Sequence, residues 1–214
     1  MNIAFYISRK GGRVEKFLKK NIELRKKVKV IISDGEDNLH LKDFFEELDI
    51  KYIYINFESL SLDKKERNER LSDVMLKILK ENKIDYCITF GKHILKGKLL
   101  KEYENRLINI HAALLPSYRG RKPIDQAVSD NAFIVGSTAH FIDEGTDTGP
   151  IILNVVQNME GFYEGGYDKI LDSQLLLLEK LFLLLEENRI TLKDKKVKII
   201  GANYNYYMTF PKID

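Results

Sequence analysis

NIAFYISRKGGRVEKFLKKN, residues 2–21, places a short apolar run directly before a glycine turn and an amphipathic segment. The run is rich in branched and aromatic residues, which predicts a buried strand. After the glycines, Val14, Phe17 and Leu18 recur at helical spacing and predict a helix. A second short apolar run, VKVIIS, follows at residues 28–33. A strand, a helix and a second strand in this order predict a parallel βαβ unit with a right-handed crossover.

The same alternation continues through the first half of the chain. KYIYIN (51–56), DYCITF (85–90) and RLINI (106–110) predict three further strands. Helical patterns separate them, one over residues 41–48 and a longer one over about 63–81. The predicted fold class is therefore α/β, with a Rossmann-like, doubly wound, mostly parallel sheet.

The second half changes character. AFIVGSTAHFID (132–143) and GPIILNVVQ (149–157) predict two strands joined by an acidic segment, which form an antiparallel C-terminal part of the sheet. Residues 167–188 predict one long helix that is apolar almost all round and packs under the sheet. We expect residues 1–190 to form a catalytic domain. Residues 191–214 would be a tail, final strand or hairpin packed on that domain.

The tyrosine-rich end of the chain, NYNYYMTF at residues 203–210, has two readings. It could be a packed final strand or an exposed stacking surface, and packing is the favoured expectation.

Composition excludes several function classes. The formal net charge is +3, from 35 basic and 32 acidic residues, which does not argue for nucleic-acid binding. The single cysteine, Cys87, lies in an apolar run, so no disulfide framework exists and we expect a buried, inert thiol. The N-terminal apolar run is too short for a signal segment or a membrane span, which predicts a soluble, cytoplasmic protein without a membrane partner. Four scattered histidines and one cysteine predict no metal site.

INIHAALLPSYRG, residues 108–120, carries an amide and an imidazole where a predicted strand ends. Asn109 and His111 lie two positions apart, so their side chains share one face of the strand. This pair suits acyl chemistry, in which an amide donates to an oxyanion and an imidazole moves or stabilises charge. A histidine satisfied by a neighbouring carbonyl is the structural alternative. HFIDEGTDTGP, residues 140–150, adds carboxylates that could orient the imidazole, although the same composition is typical of a polar loop.

Three segments follow predicted parallel strands and should meet at one sheet edge, where ligands bind in open α/β sheets. They are SRKGG after the first strand, GKHIL after the fourth, and NIHAALLP after the fifth. SRKGGRV also opens a helix, and its backbone N–H groups with the nearby basic side chains would suit a phosphate. The alternative is a plain glycine turn, since neither a dinucleotide nor a Walker pattern is present.

INIHAALLPSYRG and GSTAHFIDEGTDTGPII together resemble the paired signature of the folate-dependent formyltransferases. This family includes glycinamide ribonucleotide transformylase, methionyl-tRNA formyltransferase and amino-sugar N-formyltransferases. Its shared pattern is Asn-x-His before a Leu-Leu-Pro turn, then Asp-x-Gly further along the chain. The resemblance covers roughly residues 2–157 and implies that Asn109, His111 and Asp147 are the catalytic residues.

The resemblance implies the reaction as well. The formyl group of 10-formyltetrahydrofolate, a cosubstrate that needs no metal, would pass to a primary amine. Asn109 and His111 would stabilise the oxygen of the tetrahedral intermediate, while Asp147 would orient His111 and help to move the proton. The residues that would line the pterin pocket are Phe90, Gly91, Lys92, His93, Ile94, Leu95, Phe141, Ile142, Asp143, Glu144 and Gly145.

The acceptor would be a small amine that bears phosphate. The residues expected to bind it are Ser8, Lys10, Gly11, Gly12, Arg13, Arg119, Gly120 and Arg121. The sequence departs from the ribonucleotide enzyme's pattern in the phosphate loop and at Gln174, which stands where that enzyme carries a ribose-binding glutamate. FGKHIL and YRGRKPIDQAV are more similar to amino-sugar and methionyl-tRNA enzymes, whereas the overall length and the opening MNIAFYIS are more similar to the ribonucleotide enzyme. We therefore expect a nucleotide-linked amino sugar, with glycinamide ribonucleotide second.

Two rival functions stay open at this point. A folate- or nucleotide-binding module could keep the fold without catalysis. A hydrolase could split 10-formyltetrahydrofolate with water, although such enzymes usually carry a regulatory domain for which we expect no room. A methionyl-tRNA enzyme would need a tRNA-binding domain after residue 157. The acceptor's identity and self-association as a homodimer are not decided by the sequence.

Overall fold

The computed structural model describes residues 1–205 and 207–209. The strands in this part of the chain are β1 (Ile3–Ile7), β2 (Val28–Ser33), β3 (Lys51–Tyr54), β4 (Tyr86–Phe90), β5 (Leu107–His111), β6 (Ile134–Phe141), β7 (Ile151–Asn158), β8 (Ile190–Lys193) and β9 (Lys196–Ile199). The α-helices are α1 (Gly12–Lys20), α2 (Ile22–Arg25), α3 (Lys42–Glu47), α4 (Arg67–Glu81), α5 (Lys98–Glu102), α6 (Pro123–Ser129), α7 (Met159–Gly165) and α8 (Tyr167–Glu186). None of these helices has both the length and the apolar character needed to cross a membrane.

The larger sheet has the strand order β3-β2-β1-β4-β5-β6-β7. The pairs β1–β2, β1–β4, β2–β3 and β4–β5 are parallel, and β6–β7 is antiparallel. The predicted fold class, a doubly wound and mostly parallel sheet with an antiparallel C-terminal part, is therefore confirmed. By its contacts the chain divides into two compact units, Met1–Asn109 with Phe141–Gly145 and Ile110–His140 with Thr146–Asp214. A single catalytic domain over residues 1–190 stays a prediction.

The first unit is built around β1, whose five residues are all buried. Its partners β2 and β4 are also apolar runs, as expected of strands covered on both faces. In the parallel register Ile7 pairs with Ser33 on one side and with Phe90 on the other. The segments that follow these three strands therefore begin at the same sheet edge. Cys87 lies in β4 with no exposed surface, and burial raises the pKa of its thiol to about 12, so this thiol stays protonated.

Two helices of the first unit begin differently from the sequence expectation. The pattern over residues 63–81 yields a helix only from Arg67, because Ser61 and Asp63 first accept hydrogen bonds from local backbone N–H groups. Such side chains offer the backbone an alternative to helical bonding. Before α3, a 3-10 helix spans Glu36–Leu41. Its Asn38 side chain donates to the Arg9 carbonyl and accepts from the Ser33 hydroxyl.

In the second unit, α8 contacts β7, and a β8–β9 hairpin lies against the same strand. Pro123 occupies the first turn of α6, as its fixed φ favours. The hairpin begins at Ile190, before the segment expected to be a tail, final strand or hairpin, and the packing of that segment on a single catalytic domain stays a prediction. The packing expected of the tyrosine-rich end is wrong for Tyr204 and Tyr207, whose side chains are exposed. Tyr206 and Phe210 lie outside the described residues.

Candidate active site

Asp147 and His111 meet in the second unit. His111 ends β5 and is buried, and its Nδ1 lies 3.5 Å from Asp147 Oδ2. Its other ring nitrogen, Nε2, lies 2.8 Å from the backbone carbonyl oxygen of Tyr118, to which it donates. The imidazole is therefore held between a carbonyl oxygen and a carboxylate, with both ring nitrogens facing acceptors. The pair can therefore place an imidazole donor beside a proton acceptor.

The Asp147 carboxylate is shared with a second histidine. His140 Nε2 lies 3.5 Å from Asp147 Oδ1, and the Gly120 N–H donates to Oδ2 at 2.8 Å. Burial alone would raise the pKa of Asp147, but the His140 and Gly120 hydrogen bonds and the charges of both histidines lower it overall. The residue is therefore a carboxylate at neutral pH and can accept a proton during a reaction.

A local irregularity aims His140 at this carboxylate. The β6–β7 register shifts between Ala139 and His140, which marks a bulge in the ladder. A bulge re-aims the side chains that follow it. Because of this, strict alternation along β6 does not predict where His140 points.

The segment after the Leu-Leu-Pro turn holds both catalytic candidates through its backbone. The carbonyl of Tyr118 accepts from His111, and the N–H of Gly120 donates to Asp147. Tyr118 and Gly120 have φ values of 54° and 83°, in the left-handed region. For a tyrosine this conformation is costly, and it is kept where the surrounding structure over-determines it. Arg119 and Arg121 alternate with these two residues and are exposed.

Asn109 lies on the same strand as His111 but belongs to the first unit. The Thr89 hydroxyl in β4 donates to Asn109 Oδ1 at 3.0 Å. Because the amide oxygen is used in this way, the NH₂ group is the donor that Asn109 can offer to an oxyanion. Thr89 is buried, so the hydrogen bond that orients the Asn109 amide is shielded from solvent.

Replacing Thr89 by valine is expected to lower kcat about tenfold, since the variant keeps the shape of the side chain but releases the Asn109 amide. Steady-state kinetics with saturating amounts of the formyl donor that the sequence resemblance implies would measure the loss of kcat, with little change in the KM for that donor. Thr191→Val, which removes an exposed hydroxyl of the β8–β9 hairpin, is the control. A kcat equal to that of the parent protein would remove Thr89 from the site.

The two segments expected to line a pterin pocket both belong to the first unit. Leu95 is buried in an apolar cluster, and the Ile142 side chain packs against the same cluster. The Ile142 N–H donates to the Leu107 carbonyl, and the Gly145 N–H donates to Asp143 Oδ1. The two segments are therefore fixed by core packing and by backbone hydrogen bonds. Their role in binding folate stays a prediction.

The predicted phosphate loop has an open helix start. Gly11 caps α1 with φ 72°, and a Cβ on Gly12 would meet no atom within 4 Å. The guanidinium of Arg13 lies 5.5 Å from the centre of the Phe90 ring, and Lys10 is exposed. Ser8 is different, because it is buried and its Oγ accepts from the Lys92 N–H. The Ser8 hydroxyl therefore takes part in a hydrogen bond inside the protein.

Sequence reasoning missed several residues of these networks. Thr89, Tyr118 and Asp34 carried no signal, because their partners are distant in sequence or are bound through the backbone. His140 was noted only as part of a polar segment. In the described part of the chain, no group of three or more His, Cys, Asp or Glu side chains is placed to hold a metal ion.

A family model described as formyl transferase matches residues 1–160. Formyltetrahydrofolate deformylase 1 of Arabidopsis thaliana, a mitochondrial protein, is 34% identical over 132 residues, which are 60% of this chain and 38% of that protein. The chain thus spans about two fifths of the length of this curated relative.

Solved structures show the same fold. Glycinamide ribonucleotide transformylase 1 from Symbiobacterium toebii superposes with a TM-score of 0.81 at 24% identity, over 94% of both chains. A formyltetrahydrofolate deformylase from Pseudomonas syringae gives a TM-score of 0.74 at 23% identity, over 92% of this chain and 65% of that one. At these identities, the likeness concerns the fold.

Proposed function

Because the chain belongs to the formyl transferase family, we propose that it transfers the formyl group of 10-formyltetrahydrofolate to a primary amine on an anionic acceptor. The family resemblance inferred from the sequence is thereby confirmed. The donor, the acceptor and the residue roles are the proposal.

The proposal rests on residues 118–121, which contribute both backbone contacts and basic side chains to the site. The backbone of Tyr118 and Gly120 holds His111 and Asp147, while Arg119 and Arg121 extend to solvent beside them. Neither guanidinium has a hydrogen bond or ion pair within the described part of the chain. Guanidinium groups bind phosphate through paired donors, so an anionic acceptor would be fixed close to the catalytic carboxylate. Water, as an acceptor, would need no such groups.

The chemistry follows from the Asn109, His111 and Asp147 side chains. The acceptor amine attacks the formyl carbon, a new C–N bond forms, and the carbonyl oxygen becomes an oxyanion. As the family resemblance implies, the Asn109 amide and the His111 ring would donate to that oxygen, and His111 Nε2 would leave the Tyr118 carbonyl to do so. Asp147, a carboxylate at neutral pH, accepts the proton that the attacking amine loses. The oxyanion then re-forms the carbonyl as the C–N bond to the folate breaks, and Asp147 passes its proton to the folate nitrogen.

The folate is expected to bind on the first unit, at Gly91–Leu95 and Phe141–Gly145. The acceptor phosphate would use Arg119 and Arg121, and the open start of α1 is a second candidate anion site. A nucleotide-linked amino sugar stays the predicted acceptor. Glycinamide ribonucleotide is the alternative acceptor.

A coupled assay tests the proposal. Purified protein is mixed with 10-formyltetrahydrofolate and one amine at a time, and both tetrahydrofolate and N-formylated product are measured. Product with an amino-sugar nucleotide supports the preferred acceptor, and turnover only with glycinamide ribonucleotide overturns that preference. Folate binding without transfer to any amine would favour the non-catalytic alternative.

Hydrolysis is the second candidate function, because the Arabidopsis relative is a formyltetrahydrofolate deformylase. In that reaction water attacks the formyl carbon and formate leaves. The same mixture without an amine separates the two functions. Formate release at a rate that added amines do not change would establish hydrolysis and overturn the transfer proposal.

The Arg119→Ala/Arg121→Ala variant is expected to raise KM for the acceptor about tenfold or more, since charge-assisted contacts to its anion would be lost. KM for 10-formyltetrahydrofolate should stay unchanged. Lys193→Ala/Lys196→Ala, which removes two exposed charges of the hairpin, is the matched control. Equal acceptor KM values in the two double variants would exclude the arginines as the acceptor site.

A further inference from the structure

A second cluster of ionisable side chains lies in the first unit, outside the Asn109–His111–Asp147 set. Asp34 follows β2, and its Oδ2 accepts from the Tyr6 hydroxyl at 2.7 Å. The same oxygen lies 3.1 Å from His93 Nε2. Asp34 and Tyr6 are buried, and Asp34 Oδ1 has no hydrogen-bond partner among the described residues. A buried carboxylate costs free energy unless it is paired, so this one depends on its Oδ2 contacts.

Burial beside the carboxylate keeps the Tyr6 hydroxyl protonated. Desolvation is the largest cause that raises the pKa of Tyr6, and the charge of Asp34 adds to it. The phenol is therefore a hydrogen-bond donor to Asp34 over the whole working range of pH.

The loop after β4 is held by this cluster at successive residues. Gly91 runs against the Tyr6 ring so closely that an added Cβ would lie 2.1 Å from Tyr6 Cε1. The Lys92 N–H donates to Ser8 Oγ at 2.9 Å, and the Ser8 hydroxyl donates to the Tyr6 oxygen at 3.3 Å. Two neighbouring positions of the loop are thus tied to the end of β1.

His93 is the third tied position. Besides its contact with Asp34, its ring stacks on Phe57, with ring centres 3.5 Å apart and an interplanar angle of 17°. The loop then turns Leu95 into the core, while the side chains of Lys92 and Ile94 are exposed between the fixed positions. Its backbone path is therefore set by side chains from three other segments of the unit.

We propose that Tyr6, Asp34 and His93 are positioning residues that hold the 91–95 loop in the shape that binds the pterin ring of the folate. This inference rests on the proposed function, since it takes the loop as part of the folate site. The three residues set the affinity for folate and take no part in formyl transfer. Preorganisation of this kind lowers the ordering cost of binding.

His93→Phe tests the proposal, because phenylalanine keeps the stacked ring on Phe57 and removes the nitrogen that faces Asp34. The dissociation constant of tetrahydrofolate, measured by titration calorimetry, and KM for 10-formyltetrahydrofolate are expected to rise about tenfold. The kcat at saturating folate should stay within about twofold, since the catalytic side chains are untouched. His40→Phe, at an exposed histidine of the Glu36–Leu41 segment, is the matched control.

Two further variants keep the test decisive. Tyr6→Phe leaves the ring against Gly91 and removes only the hydroxyl. It therefore replaces His93→Phe in the binding test if that variant does not fold. Asp34→Leu removes the carboxylate that contacts both Tyr6 and His93. His93→Phe/Asp34→Leu should therefore weaken folate binding no more than Asp34→Leu alone, because that change already removes the His93 contact. Folded variants with an unchanged dissociation constant, or with a lowered kcat and normal affinity, overturn the positioning role alone. A parent protein that binds no tetrahydrofolate overturns the proposed function with it.

Discussion

Asp147→Asn is expected to lower kcat by about a hundredfold or more, the range seen when a carboxylate that orients a catalytic histidine is neutralised. The asparagine side chain has the same size and can still accept from the Gly120 N–H, which donates to Asp147 Oδ2 in the parent protein. It cannot take a proton from the attacking amine, and it presents no negative charge to the two histidines, His111 and His140, that face it. The loss should therefore appear in kcat, with tetrahydrofolate affinity unchanged.

Asp172→Asn, on an α8 carboxylate outside this network, is the control. Turnover close to that of the parent protein in Asp147→Asn would remove Asp147 from proton transfer. Equal losses of kcat and folate affinity would show that the substitution disturbs the fold instead of the chemistry.

Asp147→Asn should also change how the free energy of unfolding depends on pH. Because folding lowers the pKa of Asp147, the folded state holds this proton more weakly than the unfolded state. The resulting stabilisation is complete above the ordinary Asp pKa of about 3.9 and is lost as the pH falls through the lower, folded-state value. The difference in free energy of unfolding between parent and Asp147→Asn should therefore be largest near neutral pH and shrink in acid.

Much of the fold could be predicted, because apolar runs and helical spacing are local signals. The second strand was predicted at its observed bounds, Val28–Ser33. The third was predicted too long, since Asn56 accepts from two following N–H groups and opens a short helix at Phe57. The short helices α5 and α7 were missed, because five and seven residues carry too little periodicity.

Only those residues of the candidate site that belong to a sequence motif could be predicted. Asn109 and His111 share a strand, and Asp147 came from the resemblance, so the His111–Asp147 pair could be expected. The roles of Thr89 and Tyr118 could not, because one contact is made across neighbouring strands and the other by a backbone carbonyl. The Asp34–His93 contact joins two loops that meet only when the parallel strands align at one sheet edge. Such contacts depend on register and tertiary packing, which no single motif contains.

His111→Ala is expected to lower kcat at least about a hundredfold, since each preorganised donor to an oxyanion contributes roughly that factor or more. The alanine variant loses the donor to the intermediate and also leaves the Tyr118 carbonyl and the Asp147 carboxylate without the imidazole between them. Single-turnover kinetics separate the slow chemical step from folate binding, which should be retained. His40→Ala, at an exposed histidine, is the control.

The double variant tests whether His111 and Asp147 act as one proton-transfer unit. If they do, His111→Ala/Asp147→Asn should be no slower than the slower single variant, because the effects of residues that act as a unit are not additive. Fully additive losses would instead mean that the two side chains work independently, and a His111→Ala enzyme with normal turnover would place the oxyanion elsewhere.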